Sequence, residues 1–176
     1  MATTKWVLDP THSEIGFKVK HLMFTNVSGN FKSFNVTAET DAEDFSNAKI
    51  EFTADTASIF TNNEQRDAHL QSADFFDAAT NPQITFTATK LEKSGDDFKV
   101  TGTLDMHGVK KEITLDVEYG GIVKDPWGNI KAGFSIAGKI NRKDFGLNWN
   151  AVLETGGVMV SEEVKINGEI QLVKQA

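Results

Sequence analysis

Asp97-Phe98-Lys99-Val100-Thr101-Gly102-Thr103-Leu104-Asp105-Met106-His107-Gly108, followed by Ile113-Thr114-Leu115-Asp116-Val117-Glu118-Tyr119, is the stretch that decides the fold. In the first run Phe98, Val100, Gly102, Leu104 and Met106 alternate with Lys99, Thr101, Thr103 and Asp105. Side chains of an extended strand point alternately to its two faces, so the run has one dry face and one wet one. Ile113, Leu115, Val117 and Tyr119 repeat the pattern against Thr114, Asp116 and Glu118, and His107-Gly108 between them is turn chemistry. Two such strands back to back are a hairpin of an antiparallel sheet with a single buried side.

The same period of two spreads outward in both directions. Ile15, Phe17, Val19 and His21 share a face opposite Lys18 and Lys20, and Val27, Gly29 and Phe31 follow. Ile50, Phe52 and Ala54 alternate with acids and threonine, as Ile84, Phe86 and Ala88 alternate with threonines. Ala132, Phe134, Ile136, Gly138 and Ile140 lead to Arg142, and Val164, Ile166, Gly168, Ile170 and Leu172 oppose Lys165, Asn167, Glu169 and Gln171. Ser94-Gly95-Asp96-Asp97 and Asp125-Pro126-Trp127-Gly128-Asn129 supply further turns. Strands of about ten residues joined mainly by short turns predict a meander that closes on itself, which also removes exposed edges. Two stretches break the alternation. Residues 60–80 read as a short helix capped by Thr61 or Asn62, and residues 143–162 as a long loop carrying Trp149, Leu153, Val158 and Met159.

The 176 residues fit a single domain, 1–176. With no cysteine, a disulfide scaffold, thiol nucleophile, thiolate zinc site and iron–sulfur cluster are excluded. Eighteen Lys plus Arg against 25 Asp plus Glu give a net charge of -7, which repels phosphate backbones, so no nucleic-acid partner is expected. No apolar stretch approaches the roughly 18 residues of a membrane-spanning helix. No leader pattern precedes Trp6, so a cytoplasmic location is expected, or a periplasmic one if a leader has been removed. No G-x-S-x-G, Walker A or G-x-G-x-x-G occurs, and His12, His21, His69 and His107 lack metal-ligand spacing. Neither cofactor nor metal nor catalytic residue is expected.

The dry faces hold two oddities. Glycines occupy inward positions at Gly29, Gly102, Gly138 and Gly168. Either they let the strands coil, or their missing side chains leave a tunnel; both readings stay open. An eight-stranded barrel is just wide enough to be filled or to hold one ligand, and strands of this length would give a cavity about 25 Å deep. That shape suits a long, thin ligand. The second oddity is polar: His21 and Arg142 each end a dry row. Arg142 reads as an ion pair with Asp144 or another carboxylate, as a backbone clamp, or as a contact to a ligand's head group at the rim. His21 reads as a satisfied core histidine or as a second rim contact.

Several segments resemble one known family. They are Trp6-Val7-Leu8-Asp9-Pro10-Thr11-His12-Ser13, Phe17-Lys18-Val19-Lys20-His21 with Val27-Ser28-Gly29-Asn30-Phe31, and Arg66-Asp67-Ala68-His69-Leu70-Gln71-Ser72-Ala73-Asp74-Phe75-Phe76-Asp77. Pro82-Gln83-Ile84-Thr85-Phe86, Gly102-Thr103-Leu104-Asp105-Met106-His107-Gly108-Val109 and Asn141-Arg142-Lys143-Asp144-Phe145-Gly146-Leu147 follow in order. Over Trp6 to Leu172 the chain resembles the YceI-like proteins, polyisoprenoid-binding relatives with a lipocalin-like barrel. The resemblance implies an eight-stranded antiparallel barrel, an amphiphilic ligand with an isoprenoid or long acyl tail, often a homodimer, and no settled catalytic activity. On that basis the expected ligand-binding set is Phe17, Val19, His21, Gly29, Phe31, Phe52, Phe86, Leu104, Leu115, Phe134, Ile136, Gly138, Arg142, Trp149, Ile166 and Gly168, with Trp149 as a lid. A lipid carrier or store is the leading expectation. A filled barrel serving as a stress-response or interaction module is the alternative, and an enzyme using His21 and a carboxylate as acid and base is a third.

Overall fold

Period-two patterning becomes strand wherever it occurs. The computed structural model describes residues 3–22, 25–150 and 160–175. In chain order the elements are β1 (Thr3–Leu8), a 3-10 turn (Pro10–His12), β2 (Glu14–His21), β3 (Thr25–Phe31), β4 (Phe34–Asp41), β5 (Asp44–Asp55) and β6 (Ile59–Phe60). There follow α1 (Glu64–Gln71), β7 (Gln83–Ser94), β8 (Asp97–Met106), β9 (Val109–Lys124), β10 (Ile130–Asn141), a 3-10 turn (Arg142–Phe145) and β11 (Glu163–Lys174).

Going round, β1, β4, β5, β7, β8, β9, β10 and β11 pair in that order and β11 returns to β1, which closes an eight-stranded antiparallel barrel. The remaining strands lengthen its wall. β2 continues β1 along β11 with Phe17 opposite Ile166, β3 pairs with β2, and β6 with β3. Burial in β8 follows the sequence pattern: Phe98, Val100, Gly102, Leu104 and Met106 are buried and the residues between them are not. His107 and Gly108 sit at φ +57° and +75°, as a two-residue primed turn requires, with Met106 opposite Val109. His107 Nδ1 lies 2.9 Å from the Phe145 carbonyl oxygen, a tertiary contact that holds a non-glycine residue in the left-handed region.

One end of the barrel is filled with aromatic rings. Trp6 is fully buried, its indole N–H donates to Thr40 Oγ1 at 2.9 Å, and its ring lies 4.9 Å from that of Phe45. Phe45 in turn meets Phe134 at 5.1 Å, and Tyr119 stacks on Phe134 at 5.3 Å. Dry surroundings push the Tyr119 hydroxyl above its ordinary pKa, with Glu43 and Asp44 adding to the effect. Outside this end, Asp9 bonds Lys131 at 2.6 Å, and that hydrogen bond is the main reason its carboxyl lies well below the usual range. The contact ties the β1–β2 junction to β10.

The helix is present, with a different cap. Asn63, rather than Thr61 or Asn62, receives the first free amide, Arg66 N–H to Asn63 Oδ1 at 3.0 Å. Thr61 is buried and takes part in a side-chain network described below.

Candidate ligand cavity and its mouth

Above the aromatic plug the barrel is hollow. The cavity measures about 600 Å³ and its wall is overwhelmingly apolar. It is bordered from Leu172 to Val164 along β11, so at the usual rise and tilt it runs about 20 Å along the axis. Phe17, Val19, His21, Phe31, Phe52, Phe86, Leu104, Leu115, Phe134, Ile136, Arg142, Trp149 and Ile166 of the expected set all border it.

Gly29, Gly138 and Gly168 do not, and this corrects the tunnel reading at those positions. A larger neighbour folds over each. A Cβ at Gly138 would lie 2.5 Å from Leu115 Cδ2, one at Gly29 2.5 Å from Phe17 Cζ, and one at Gly168 2.8 Å from Ile15 Cδ1. Gly102 is likewise covered by the Phe86 ring. The glycines are seats for the cross-strand side chains that form the wall, rather than windows into the space.

Arg142 is also corrected in part. It opens the 3-10 turn after β10, is 3% exposed, and has no carboxylate partner among the described residues; Asp144 pairs with Lys111 at 3.4 Å instead. Its guanidinium donates to four main-chain carbonyls: Leu147 at 2.6 Å, Trp149 at 2.8 Å, Ser161 at 2.8 Å and Val160 at 3.3 Å. A buried cation needs its donors satisfied, and neutral carbonyl dipoles do so here. Burial lowers its pKa from the ordinary value, and the nearby Glu162 opposes that effect. Arg142 is therefore a clamp joining the segment that leaves β10 to the one that enters β11. Its place on the wall leaves it in view of a ligand.

His21 shares this end, since it forms a backbone bridge with Val160, whose carbonyl Arg142 holds. Trp149 also borders the cavity, with its ring edge-on to His69 at 4.9 Å and 5.3 Å from Phe75. Leu153, Val158 and Met159 of the expected loop lie outside the described residues. Sequence reasoning missed what Trp149 packs on. Arg66 and His69, three apart on one face of α1, border the cavity together with Thr61, Phe75 and Phe76. Arg66 Nε donates to Thr61 Oγ1 at 2.7 Å, and Thr61 N–H donates to Asp67 Oδ1 at 2.8 Å. The signal was Phe75-Phe76, a buried aromatic pair in an otherwise polar stretch.

Among the described residues no cluster of metal-ligating side chains forms, and no helix is long and apolar enough to cross a membrane.

Known proteins share this architecture. UPF0312 proteins of Staphylococcus epidermidis and Staphylococcus aureus are 41% identical over 169 residues, 96% of this chain and 96% of each relative. A crystal structure of the Campylobacter jejuni YCEI protein is 39% identical, with TM-score 0.76 over 96% of this chain and 97% of that one. Burkholderia cenocepacia BcnA, at 23% identity, shares the fold with TM-score 0.81 over 93% of this chain and 98% of its own. So does a Saccharophagus degradans domain described as polyisoprenoid-binding, at 18% identity and TM-score 0.66, covering 97% and 98%. A family model described as YceI-like domain matches residues 6–172, and the chain belongs to that family.

Proposed function

We propose that this protein binds one long-chain amphiphilic lipid, with an isoprenoid or similar tail, as a carrier or store without catalytic turnover. The observation that carries the reading is the cavity itself: about 600 Å³, apolar along its length, closed at one end by aromatic rings and bordered at the other by Trp149 and His69. At interior packing density a five-carbon isoprene unit occupies roughly 120 Å³, so the space suits about five units. Each unit buries about 100 Å² of apolar surface, worth roughly 2.5 kcal/mol, so affinity resides in the tail. The fold neighbour described as polyisoprenoid-binding supports this choice of tail.

The test is extraction of the purified protein with organic solvent followed by mass spectrometry. A near-stoichiometric lipid with a tail of about 20–25 carbons is expected from the packing estimate. Protein that carries no lipid, and takes up none from a prenyl alcohol series, would refute the reading.

A further inference from the structure

Among the described residues, two ladders of the barrel end while both of their strands run on for at least four more residues. The first joins β5 to β7 and stops at Glu51 opposite Thr87, on the side of the closed end. There Phe45 and Ala48 of β5 are buried, and Phe45 packs into the aromatic floor, so the parted strands are filled from inside. The second joins β9 to β10 and stops at Asp116 opposite Ala137. Beyond it β9 pairs with β8 alone, as far as Val109, and β10 with β11 alone, as far as Asn141. Neither free stretch contains proline, so the backbone itself does not forbid the pairing.

This second split is open. A cleft of about 400 Å³ lies in it, lined by both strands and by the 3-10 turn that follows β10. Continued register would set Thr114 opposite Lys139 and Ile113 opposite Ile140, and these four residues line the cleft instead. Thr114 and Lys139 are exposed on the outer face. Ile113 and Ile140 border the cleft and the main cavity alike, so one pair of side chains stands between inside and outside. The turn roofs the wide end: its Phe145 is buried and borders the cleft, and its Asp144 pairs with Lys111 of β9 at 3.4 Å.

We propose that the lipid enters and leaves the barrel sideways, through the split between β9 and β10, with Ile113 and Ile140 as gate and the Lys111–Asp144 pair as latch. This rests on the lipid-binding reading. Parting fully paired strands breaks a row of main-chain hydrogen bonds, and opening the Arg142 frame would break four at once. The split can widen without breaking any ladder bond, because none spans it. A passing tail meets apolar side chains at the gate, while the charged rim stays in water.

The chain has no cysteine, so a single pair can be introduced without competition. Thr114→Cys/Lys139→Cys is bridged across the split, after folding, with a short bis-thiosulfonate reagent. Exchange of bound geranylgeraniol for its deuterated form is then timed by mass spectrometry. The bridge should slow exchange at least about tenfold while equilibrium affinity stays within about twofold, and reducing the bridge should restore the native rate. A bridge between Glu118→Cys and Ser135→Cys, opposite each other in the intact part of the same ladder, should change neither quantity. If the first pair does not fold, Asp144→Asn, at an exposed position, must still speed exchange about twofold by releasing the latch. An unchanged rate across the bridged split, an equal slowing by the control bridge, or no gain from Asp144→Asn overturns the side passage and leaves lipid binding standing. A native chain that binds no geranylgeraniol overturns both readings.

Discussion

The two ends of the barrel solve opposite problems with the same wall. At the closed end Trp6, Phe45, Tyr119 and Phe134 fill the space ring against ring, and the buried Trp6 N–H is satisfied locally by Thr40. At the mouth, space is left between side chains, and order comes from hydrogen bonds to main-chain carbonyls, gathered by one arginine. Packing that excludes everything suits a floor, while a hydrogen-bonded frame can surround a gap without filling it. The difference gives the cavity a direction, with an aromatic floor at one end and a hydrogen-bonded rim at the other.

Removing the floor should do the most damage. Phe45→Ala deletes a ring that touches three others and should lower unfolding free energy by about 3–5 kcal/mol in urea titrations. In whatever protein remains folded, the preferred tail should lengthen by about one isoprene unit. An unchanged length preference would show that the floor does not set it. Next is the frame. Arg142→Lys keeps the charge but cannot reach four carbonyls with one ammonium, and a loss of about 3 kcal/mol is expected. Prenyl diphosphate and alcohol should lose affinity together; selective loss of the diphosphate would return Arg142 to head-group recognition.

The wall between the ends comes third. Gly138→Ala pushes a methyl into Leu115 and should cost about 1–3 kcal/mol. Leu115→Ala in the same chain should recover part of that loss, a coupling that a mere strand-propensity effect would not show. The smallest effect concerns Asp9, which braces the closed end from outside. Asp9→Asn should cost about 1–2 kcal/mol near neutral pH. Because the folded carboxyl titrates well below its ordinary value, the stabilisation is present above the unfolded pKa of about 3.9 and fades as pH falls below it. The two proteins should therefore converge in stability at acid pH, and a gap that persists there would mean that shape, rather than charge, matters at this position.

The wall was legible in the sequence and the mouth was not, for a physical reason. Phe17, Phe52, Phe86, Leu115, Phe134 and Ile166 border the cavity as their strand parity required, because alternation is local and each strand declares its own faces. Gly138 also declared its face, but not that Leu115 of the neighbouring strand would cover it, since register is a property of pairs of strands. The cluster of Arg66, His69, Phe75 and Trp149 draws on segments about 80 residues apart in sequence, and no periodic signal joins them. Arg142 was recognised as unusual, and the backbone clamp stood among its readings, but nothing in the sequence chose it over a carboxylate pair. Main-chain acceptors are the same at every residue and leave no mark in the sequence.

The seam between β1 and β11 has a kinetic consequence. Trp6 lies opposite Lys174, and the Gln175 N–H donates to the Lys5 carbonyl at 2.8 Å, so the ring is completed by partners at opposite ends of the described chain. Such a contact order is high, and a ribosome must release nearly all of the chain before the barrel can shut. Until then the edges of β1 and β10 stand unpaired, and the cavity wall is exposed to any lipid or aggregation partner nearby. A circular permutant that joins these neighbouring ends and opens the Asp125–Asn129 turn would make the seam a local hairpin. The long-range closure then moves to the β9–β10 pair, with the same cavity inside.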